Sequence, residues 1–321
     1  MSLLQRLVAE NGVLILDGAM GTELQKYKGS LDPTLWSAEC LVTDPQAIVG
    51  VHCDYLRAGA DIITSASYQV SYEGFQSCLG YSREKTDEVV RTATELVRRA
   101  IRETNLDNKF VASSIGCYGA HLADGSEFVG QYGKTKQELM DFHSAILPAH
   151  MSTGADILAF ETVPCFEEVK AITTLISRSE QPFQAWLSMS CRSSTQLSDG
   201  SLLEDVCRKI EDLFFPDHTS HSNLANLAIG INCTKPQYIS DLLSILRDGL
   251  RRDRVLLVYP NRGETYNAVT QCFDATGFGV EAASFAQCAL DWKERGASAI
   301  GSCCRTDPGF TAELKKVLRG V

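Results

Sequence analysis

Residues 297–304 read ASAIGSCC, a short apolar run that is followed at once by Cys303 and Cys304. Earlier in the chain, residues 227–233 read LAIGINC, and a similar apolar run ends there at Cys233. Runs of this kind predict strands that are buried on both faces of a parallel sheet. The carboxyl ends of parallel strands lie on the same side of a sheet, so the sequence predicts that the three thiols converge.

The same alternation of a short apolar run and a longer helical pattern continues along the chain. Eight strand candidates cover residues 13–16, 61–64, 110–114, 156–160, 184–189, 227–231, 254–259 and 297–301. Eight strand–helix units in 321 residues favour a closed (β/α)8 barrel of the TIM type over an open doubly wound sheet. No linker rich in Pro, Gly or Ser divides the chain, so we predict one α/β domain over residues 1–321.

Composition excludes several classes of partner. The formal net charge of -10 argues against a nucleic acid or an anionic membrane surface. No apolar run approaches the ~20 residues of a membrane span, and the N-terminal residues lack the pattern of a signal peptide. We therefore expect a cytoplasmic protein whose twelve cysteines are free thiols.

Polar and sulfur-bearing side chains follow the predicted strands, at the barrel mouth where active sites are found. Three cysteine ligands with an open fourth position are typical of a catalytic zinc site, although three reduced thiols without a metal remain an alternative. Zinc bound by three thiolates is a poor activator of water, but it deprotonates a substrate thiol that coordinates to it. The cluster of Cys233, Cys303 and Cys304 therefore favours S-alkylation over hydrolysis.

Two carboxylates also end predicted strands, Asp17 on the first and Glu161 on the fourth. Together they are suited to bind the α-ammonium group of an amino acid. They are also compatible with the acid and base pair of a glycosidase, which would need no cysteines. A third interpretation makes Asp17 the N-cap of the helical segment that follows it.

The chain resembles the zinc- and homocysteine-dependent S-methyltransferases over nearly its whole length. It is most similar to the fungal and plant homocysteine S-methyltransferases that use S-methylmethionine or S-adenosylmethionine. Seven blocks carry the resemblance: LDGAMGTEL from Leu16, GADIITSASYQ from Gly59, YGAHLADGSEF from Tyr118, FETVP from Phe160, GINC from Gly230, YPNRGETY from Tyr259 and GSCCRT from Gly301.

The resemblance implies zinc bound by Cys233, Cys303 and Cys304, which act together as the catalytic residues. It also implies a homocysteine pocket that is formed by Asp17, Gly18, Thr64, Ser65, Glu161 and Asn232. Candidates for the donor site are Tyr118, Asp124, Tyr259 and Asn261, because members that use sulfonium donors contain the block from Tyr118. Two residues depart from the family pattern: Ser302 replaces a usual Gly, and Arg262 replaces a small residue. A positive φ at Ser302 would strain the backbone beside the cysteine pair.

These observations lead to one hypothesis of function. A methyl group passes from a sulfonium donor, S-methylmethionine or S-adenosylmethionine, to the zinc-bound thiolate of homocysteine, and methionine forms. Selenocysteine or another thiol is the alternative acceptor within the same class. A barrel without catalytic activity that senses zinc or redox state through its cysteines is the alternative of another class.

Overall fold

A computed structural model describes residues 1–213, 222–267, 272–274 and 278–320. Its main sheet contains eight parallel strands, which we number β1 to β8 in chain order. The strands are β1 Leu14–Ile15, β2 Ile62–Thr64, β3 Phe110–Gly116, β4 Ile157–Val163, β5 Ala185–Met189, β6 Ala228–Asn232, β7 Leu256–Tyr259 and β8 Ala297–Ile300. All eight overlap the strands predicted from the sequence, and a small hairpin pairs Thr265–Asn267 with Cys272–Asp274.

The sheet closes on itself. Strands β2 to β8 pair in chain order, and β8 then pairs with β1. A parallel bridge between Leu16 and Ile62 joins β1 to β2. Across the same seam, the Asp61 amide donates to the Ile15 carbonyl at 2.7 Å and the Asp17 amide to the Ile62 carbonyl at 3.2 Å. The predicted (β/α)8 barrel is therefore confirmed.

Helices follow the strands and surround the barrel. The α-helices are Leu3–Asn11, Met20–Lys28, Cys40–Thr43, Pro45–Ala58, Tyr72–Leu79, Arg83–Thr104, Tyr118–Leu122, Lys136–Met151, Phe166–Arg178, Leu203–Asp212, Ser222–Ala225, Ile239–Gly249, Ala282–Glu294 and Pro308–Arg319. Short 3-10 helices cover Ser37–Glu39, Ser126–Phe128 and Pro236–Tyr238. None of the helices in the described ranges is long and apolar enough to cross a membrane.

Apolar side chains fill the barrel interior below its mouth. Trp186 and Leu257 pack there against Leu4 and Leu7 from the N-terminal helix Leu3–Asn11. That helix is held at its start by a capping box, in which Ser2 and Gln5 bond to each other's backbone amides. The amino-terminal end of the barrel is thus packed, and polar groups collect at the carboxyl end of the strands.

A buried histidine makes the stability of this fold dependent on pH. His52 in the helix Pro45–Ala58 is fully buried, and neither ring nitrogen has a hydrogen-bond partner within the described residues. Burial lowers the pKa of His52 from 6.5 to about 3. The unfolded chain therefore takes up a proton at this residue below about pH 6.5, whereas the folded chain does so only near pH 3.

We expect this difference to destabilise the fold by about 3 kcal/mol between pH 7 and pH 4. His52→Leu removes the titrating group, so its free energy of unfolding should fall less over that range than that of the wild type. Urea denaturation of both proteins at the two pH values measures the difference. Equal losses in the two proteins would contradict the assignment to His52.

Candidate metal and substrate site

Three thiols meet at the barrel mouth. Cys233 follows β6, and Cys303 and Cys304 follow β8. The Sγ atoms of Cys233 and Cys304 lie 3.6 Å apart, those of Cys303 and Cys304 lie 3.9 Å apart, and all three lie within 4.8 Å of one another. Hydrogen bonding to the thiols of Cys233 and Cys303 holds the pKa of Cys304 well below its ordinary value. Cys304 is therefore the thiol of the cluster that ionises most readily, whereas the pKa values of Cys233 and Cys303 are raised, and three sulfur atoms at these separations are suited to a soft cation.

The loop after β7 supports this cluster through its backbone. The Cys303 amide donates to the Pro260 carbonyl at 2.8 Å, and the Arg262 amide donates to the Cys304 carbonyl at 3.1 Å. The Arg262 side chain donates to the Val280 carbonyl at 2.8 Å. Because the Arg262 amide makes the contact with the cysteine pair, the replacement of a small residue at this position leaves that contact intact.

Ser302 has no backbone strain. Positive φ angles near the cluster occur at Cys233 and Arg305, and Ser302 does not share them. Its amide donates to the Asp17 carbonyl at 3.1 Å, and its hydroxyl accepts from Thr306 Oγ1 at 2.9 Å. A Cβ atom on Gly18 would lie 2.8 Å from Ser302 Oγ, so the glycine provides the space that this serine occupies.

Because Ser302 acts through packing and one hydroxyl bond, Ser302→Ala should keep the metal site. We expect full metal content and a loss of about 1 kcal/mol in the free energy of unfolding, the usual contribution of one hydrogen bond. Elemental analysis and urea denaturation measure the two quantities. Loss of the metal in this variant would show that the hydroxyl group itself maintains the thiol geometry.

The carboxylate of Asp17 is held by the end of β2. Its Oδ2 atom accepts from the Thr64 amide at 2.7 Å, and its Oδ1 atom accepts from Thr64 Oγ1 at 3.0 Å. Burial raises the pKa of Asp17 from 3.8 to about 8, and the charge of Glu161 adds to this rise. The N-cap residue of the helix that follows, Met20–Lys28, is Ala19, which makes no side-chain cap, so Asp17 is not its N-cap.

Glu161 on β4 is held by two hydroxyl groups. Ser114 donates to its Oε1 atom, and Tyr259 donates to its Oε2 atom at 3.0 Å. Trp186 Nε1 donates in turn to the Tyr259 oxygen at 3.1 Å, and Ser188 bonds to that oxygen as well. Burial raises the pKa of Glu161 from 4.5 to about 7. Both buried carboxylates would thus gain from a cation that stabilises their ionised forms.

Asn232 connects β6 to β4. Its Nδ2 atom donates to Thr162 Oγ1 at 2.7 Å, and its Oδ1 atom accepts from the Thr162 amide at 2.8 Å. Thr162 has φ +61°, a conformation that a β-branched residue adopts only when its surroundings impose it. The side chain of Asn232 therefore fixes the backbone at Thr162, the residue directly after Glu161. Asn232 itself directly precedes Cys233.

These groups line one cavity of about 350 Å³. Among the residues proposed from the sequence, it is lined by Asp17, Gly18, Thr64, Ser65, Glu161, Asn232, Cys233, Tyr259, Cys303 and Cys304. Residues that sequence analysis did not propose also contribute, and they include Met20, Trp36, Tyr68, Gln69, Glu127 and Phe128. The thiol cluster and both buried carboxylates thus face the same space.

Three of the four donor-site candidates do not line this cavity. Tyr118 packs on Tyr132 and Phe142, with ring centroids 5.4 and 5.1 Å away. Asp124 is exposed and accepts from the Ser126 amide at 2.9 Å. Asn261 accepts from the Cys233 thiol at 2.9 Å, and only Tyr259 faces the cavity, where it bonds to Glu161. A direct role of these residues in donor binding stays a prediction.

A closed barrel with three thiols and two buried carboxylates around one mouth cavity is typical of an α/β-barrel enzyme, and the thiols form a candidate metal centre. In the part of the chain that the structure describes, no fourth His, Cys, Asp or Glu joins the thiol cluster. A ligand position thus remains for a substrate atom, as in catalytic metal sites.

The family model for homocysteine S-methyltransferase matches residues 14–318. The chain therefore belongs to the homocysteine S-methyltransferase family, and the resemblance noted in the sequence is confirmed. It is 36% identical over 322 residues to homocysteine S-methyltransferase YbgG of Bacillus subtilis, covering 98% of this chain and 97% of the relative. It is also 36% identical over 340 residues to a selenocysteine Se-methyltransferase of Brassica oleracea, covering 99% and 92%.

Solved structures agree with this assignment. The metallated form of the homocysteine methyltransferase MmuM from Escherichia coli superposes with a TM-score of 0.80 and 35% identity. The match covers 97% of this chain and 98% of that protein. Methyl transfer to homocysteine is thus the activity supported for this protein, and dependence on a metal ion is supported with it.

Proposed function

We propose that the protein transfers a methyl group from a sulfonium donor to the sulfur of homocysteine, with zinc held by Cys233, Cys303 and Cys304. One observation carries the proposal: the three thiols and the two carboxylates with raised pKa values face a single cavity. A thiol cluster beside an ammonium-binding pair fits a substrate that carries both a thiol and an α-ammonium group.

The residues present fit zinc better than a hard cation. All three ligand atoms are sulfur, and their mutual separations suit one small ion. Bound zinc would lower the pKa of a coordinating substrate thiol, so that this sulfur is a thiolate at neutral pH.

Asp17 and Glu161 bind the α-ammonium group of homocysteine in this proposal. Thr64 holds the first carboxylate, and Ser114 and Tyr259 hold the second, so both are oriented before substrate arrives. Gly18, Ser65 and Asn232 complete the pocket wall. An ammonium ion stabilises the ionised carboxylates, and this gain offsets the cost of their burial.

The reaction exchanges one carbon–sulfur bond for another. The bond between the sulfonium sulfur and its methyl group breaks, and its electron pair stays on the donor sulfur as a thioether. The homocysteine sulfur first loses its thiol proton to solvent, and the resulting thiolate supplies the electron pair of the new carbon–sulfur bond. A sulfonium donor is already activated for departure, so no general acid is needed and positioning supplies most of the acceleration.

Methionine formation from homocysteine tests the function. We expect product with S-methylmethionine or with S-adenosylmethionine, loss of activity after chelation, and recovery when zinc is added. Full activity in a protein shown to be free of metal would overturn the role of zinc. No product with either donor would favour a barrel that senses metal or redox state, and an activity indifferent to chelators and thiol blocking would favour the glycosidase alternative.

Selenocysteine is a second candidate acceptor because relatives at 35–36% identity include selenocysteine methyltransferases. Selenocysteine carries an α-ammonium and a carboxylate group together with its selenol, as homocysteine carries them together with its thiol. The ratio of kcat/KM for the two acceptors with one donor decides between them.

We propose a cytoplasmic location. The three clustered cysteines are free thiols, as are the other cysteines in the described ranges. A reducing compartment keeps such thiols available for metal binding.

A further inference from the structure

A third carboxylate faces the same cavity, and none of the roles above uses it. Glu127 lies in the 3-10 helix Ser126–Phe128, within the loop that follows β3, and lines the cavity together with Cys304. Its Oε2 atom is inaccessible to solvent and has no hydrogen-bond partner in the described ranges of the chain. The side chain as a whole is partly exposed at the cavity, so a cation that enters the cavity can approach this carboxylate and compensate for its incomplete hydrogen bonding.

The backbone of Glu127 is held from two sides. Ser190 Oγ donates to its carbonyl at 3.3 Å, and Ser190 bonds to Ser198 at 3.0 Å. On the opposite side, a Cβ atom on Gly119 would lie 2.5 Å from the Glu127 amide nitrogen, so the helix Tyr118–Leu122 packs directly on this turn. These contacts hold the backbone of Glu127 at the cavity wall.

The surroundings of Glu127 carry negative charge. Glu127 and Cys304 line the same cavity, and burial together with the negative charges of Cys304 and Asp124 raises the pKa of Glu127. In the proposed function, Asp17 and Glu161 are occupied by the ammonium group of homocysteine. The methyl donor carries a sulfonium and an α-ammonium group, and its sulfonium is the one that must reach the thiols for the methyl group to be transferred.

We propose that Glu127 binds the sulfonium charge of the methyl donor and thereby determines selectivity for cationic donors. This inference rests on the proposed function and names the residue that recognises its second substrate. Methyl transfer from a sulfonium to a thiolate removes the positive charge, so a fixed anion stabilises the bound donor more than the transition state. Glu127 therefore contributes to donor affinity and little to the chemical step.

Glu127→Gln, which preserves size and removes the charge, tests this assignment. We expect the KM for S-methylmethionine to rise by about 10–100-fold, with kcat within about 3-fold and the KM for homocysteine unchanged. The Kd of S-methylmethionine, measured by calorimetry without homocysteine so that no turnover occurs, should rise by the same factor. The inhibition constant of trimethylsulfonium against the donor should rise too, because this ion has no ammonium group.

Glu73→Gln is the matched control, since Glu73 is exposed and interacts electrostatically with His121 of the same loop. This variant removes the same charge without changing the cavity, and its donor KM should equal that of the wild type. An unchanged donor KM and Kd in Glu127→Gln would overturn the proposal, as would an unchanged trimethylsulfonium constant. If the wild type forms no methionine from any sulfonium donor, the proposed function itself fails, which is a different result.

Discussion

Cys304→Ser is expected to lose its metal and its methyl transfer together. The substitution leaves Cys233 and Cys303 as the only two thiols of a cluster in which all three sulfurs lie within 4.8 Å of one another. Loss of a group that merely orients a metal ligand costs about 10–100-fold in affinity or activity, so loss of a ligand should cost ~10³-fold or more. Elemental analysis of the purified protein and the rate of methionine formation measure both effects.

Cys78→Ser is the matched control for this experiment. Cys78 is an exposed free thiol outside the cavity, so its replacement should leave metal content and rate unchanged. Circular dichroism of both variants separates loss of the site from loss of the fold. Retention of one metal equivalent, or of wild-type activity, in Cys304→Ser would remove the thiol cluster from the mechanism.

Asp17→Asn is expected to weaken homocysteine binding without loss of metal. The neutral amide keeps the size of the side chain but loses the charge that faces the ammonium group, and one of its two terminal atoms no longer accepts from Thr64. Removal of one partner from a buried charged pair costs about 2–5 kcal/mol, which corresponds to an increase in KM of about 30- to 5,000-fold. Steady-state kinetics with homocysteine varied and donor saturating give the value.

The pH dependence of homocysteine affinity provides an independent readout. The pKa of Asp17 in the free protein is about 8 and that of Glu161 about 7, so both carboxyl groups are largely protonated at pH 6. Because the ammonium group binds the ionised forms, the KM for homocysteine should fall as pH rises from 6 to 8. Asp17→Asn should lose part of this fall, whereas Asp212→Asn, at an exposed position, should behave as wild type. An identical profile in Asp17→Asn would contradict the assignment.

The barrel and the thiol cluster were predictable because both depend on local patterns. A buried strand is visible as an apolar run, and parallel closure then brings the residue after each run to the same mouth. These two rules were sufficient to predict that Cys233 and Cys303 lie close together. The same reasoning placed Asp17 and Glu161 at the mouth, since each directly follows such a run, and both side chains line the cavity there.

Loop residues could not be placed in this way. Tyr118 packs against Phe142 of a neighbouring helix, and Asp124 bonds within its own turn, so neither points into the cavity. Glu127 belongs to the same loop and faces the thiols, yet its sequence neighbours give no signal of this. The positive φ of Thr162 likewise depends on Asn232, 70 residues away in the chain.

The position of β1 has a consequence for synthesis of the protein. This strand lies between β2 on one side and β8 on the other. The Arg319 side chain also contacts the start of β1, where it donates to the Val13 carbonyl at 2.7 Å. On the ribosome, β1 emerges first among the strands and must wait for the last one before it gains its second neighbour. The same pairing of β8 with β1 places the cysteine pair beside Asp17. The barrel therefore closes and its site is assembled in one step of folding.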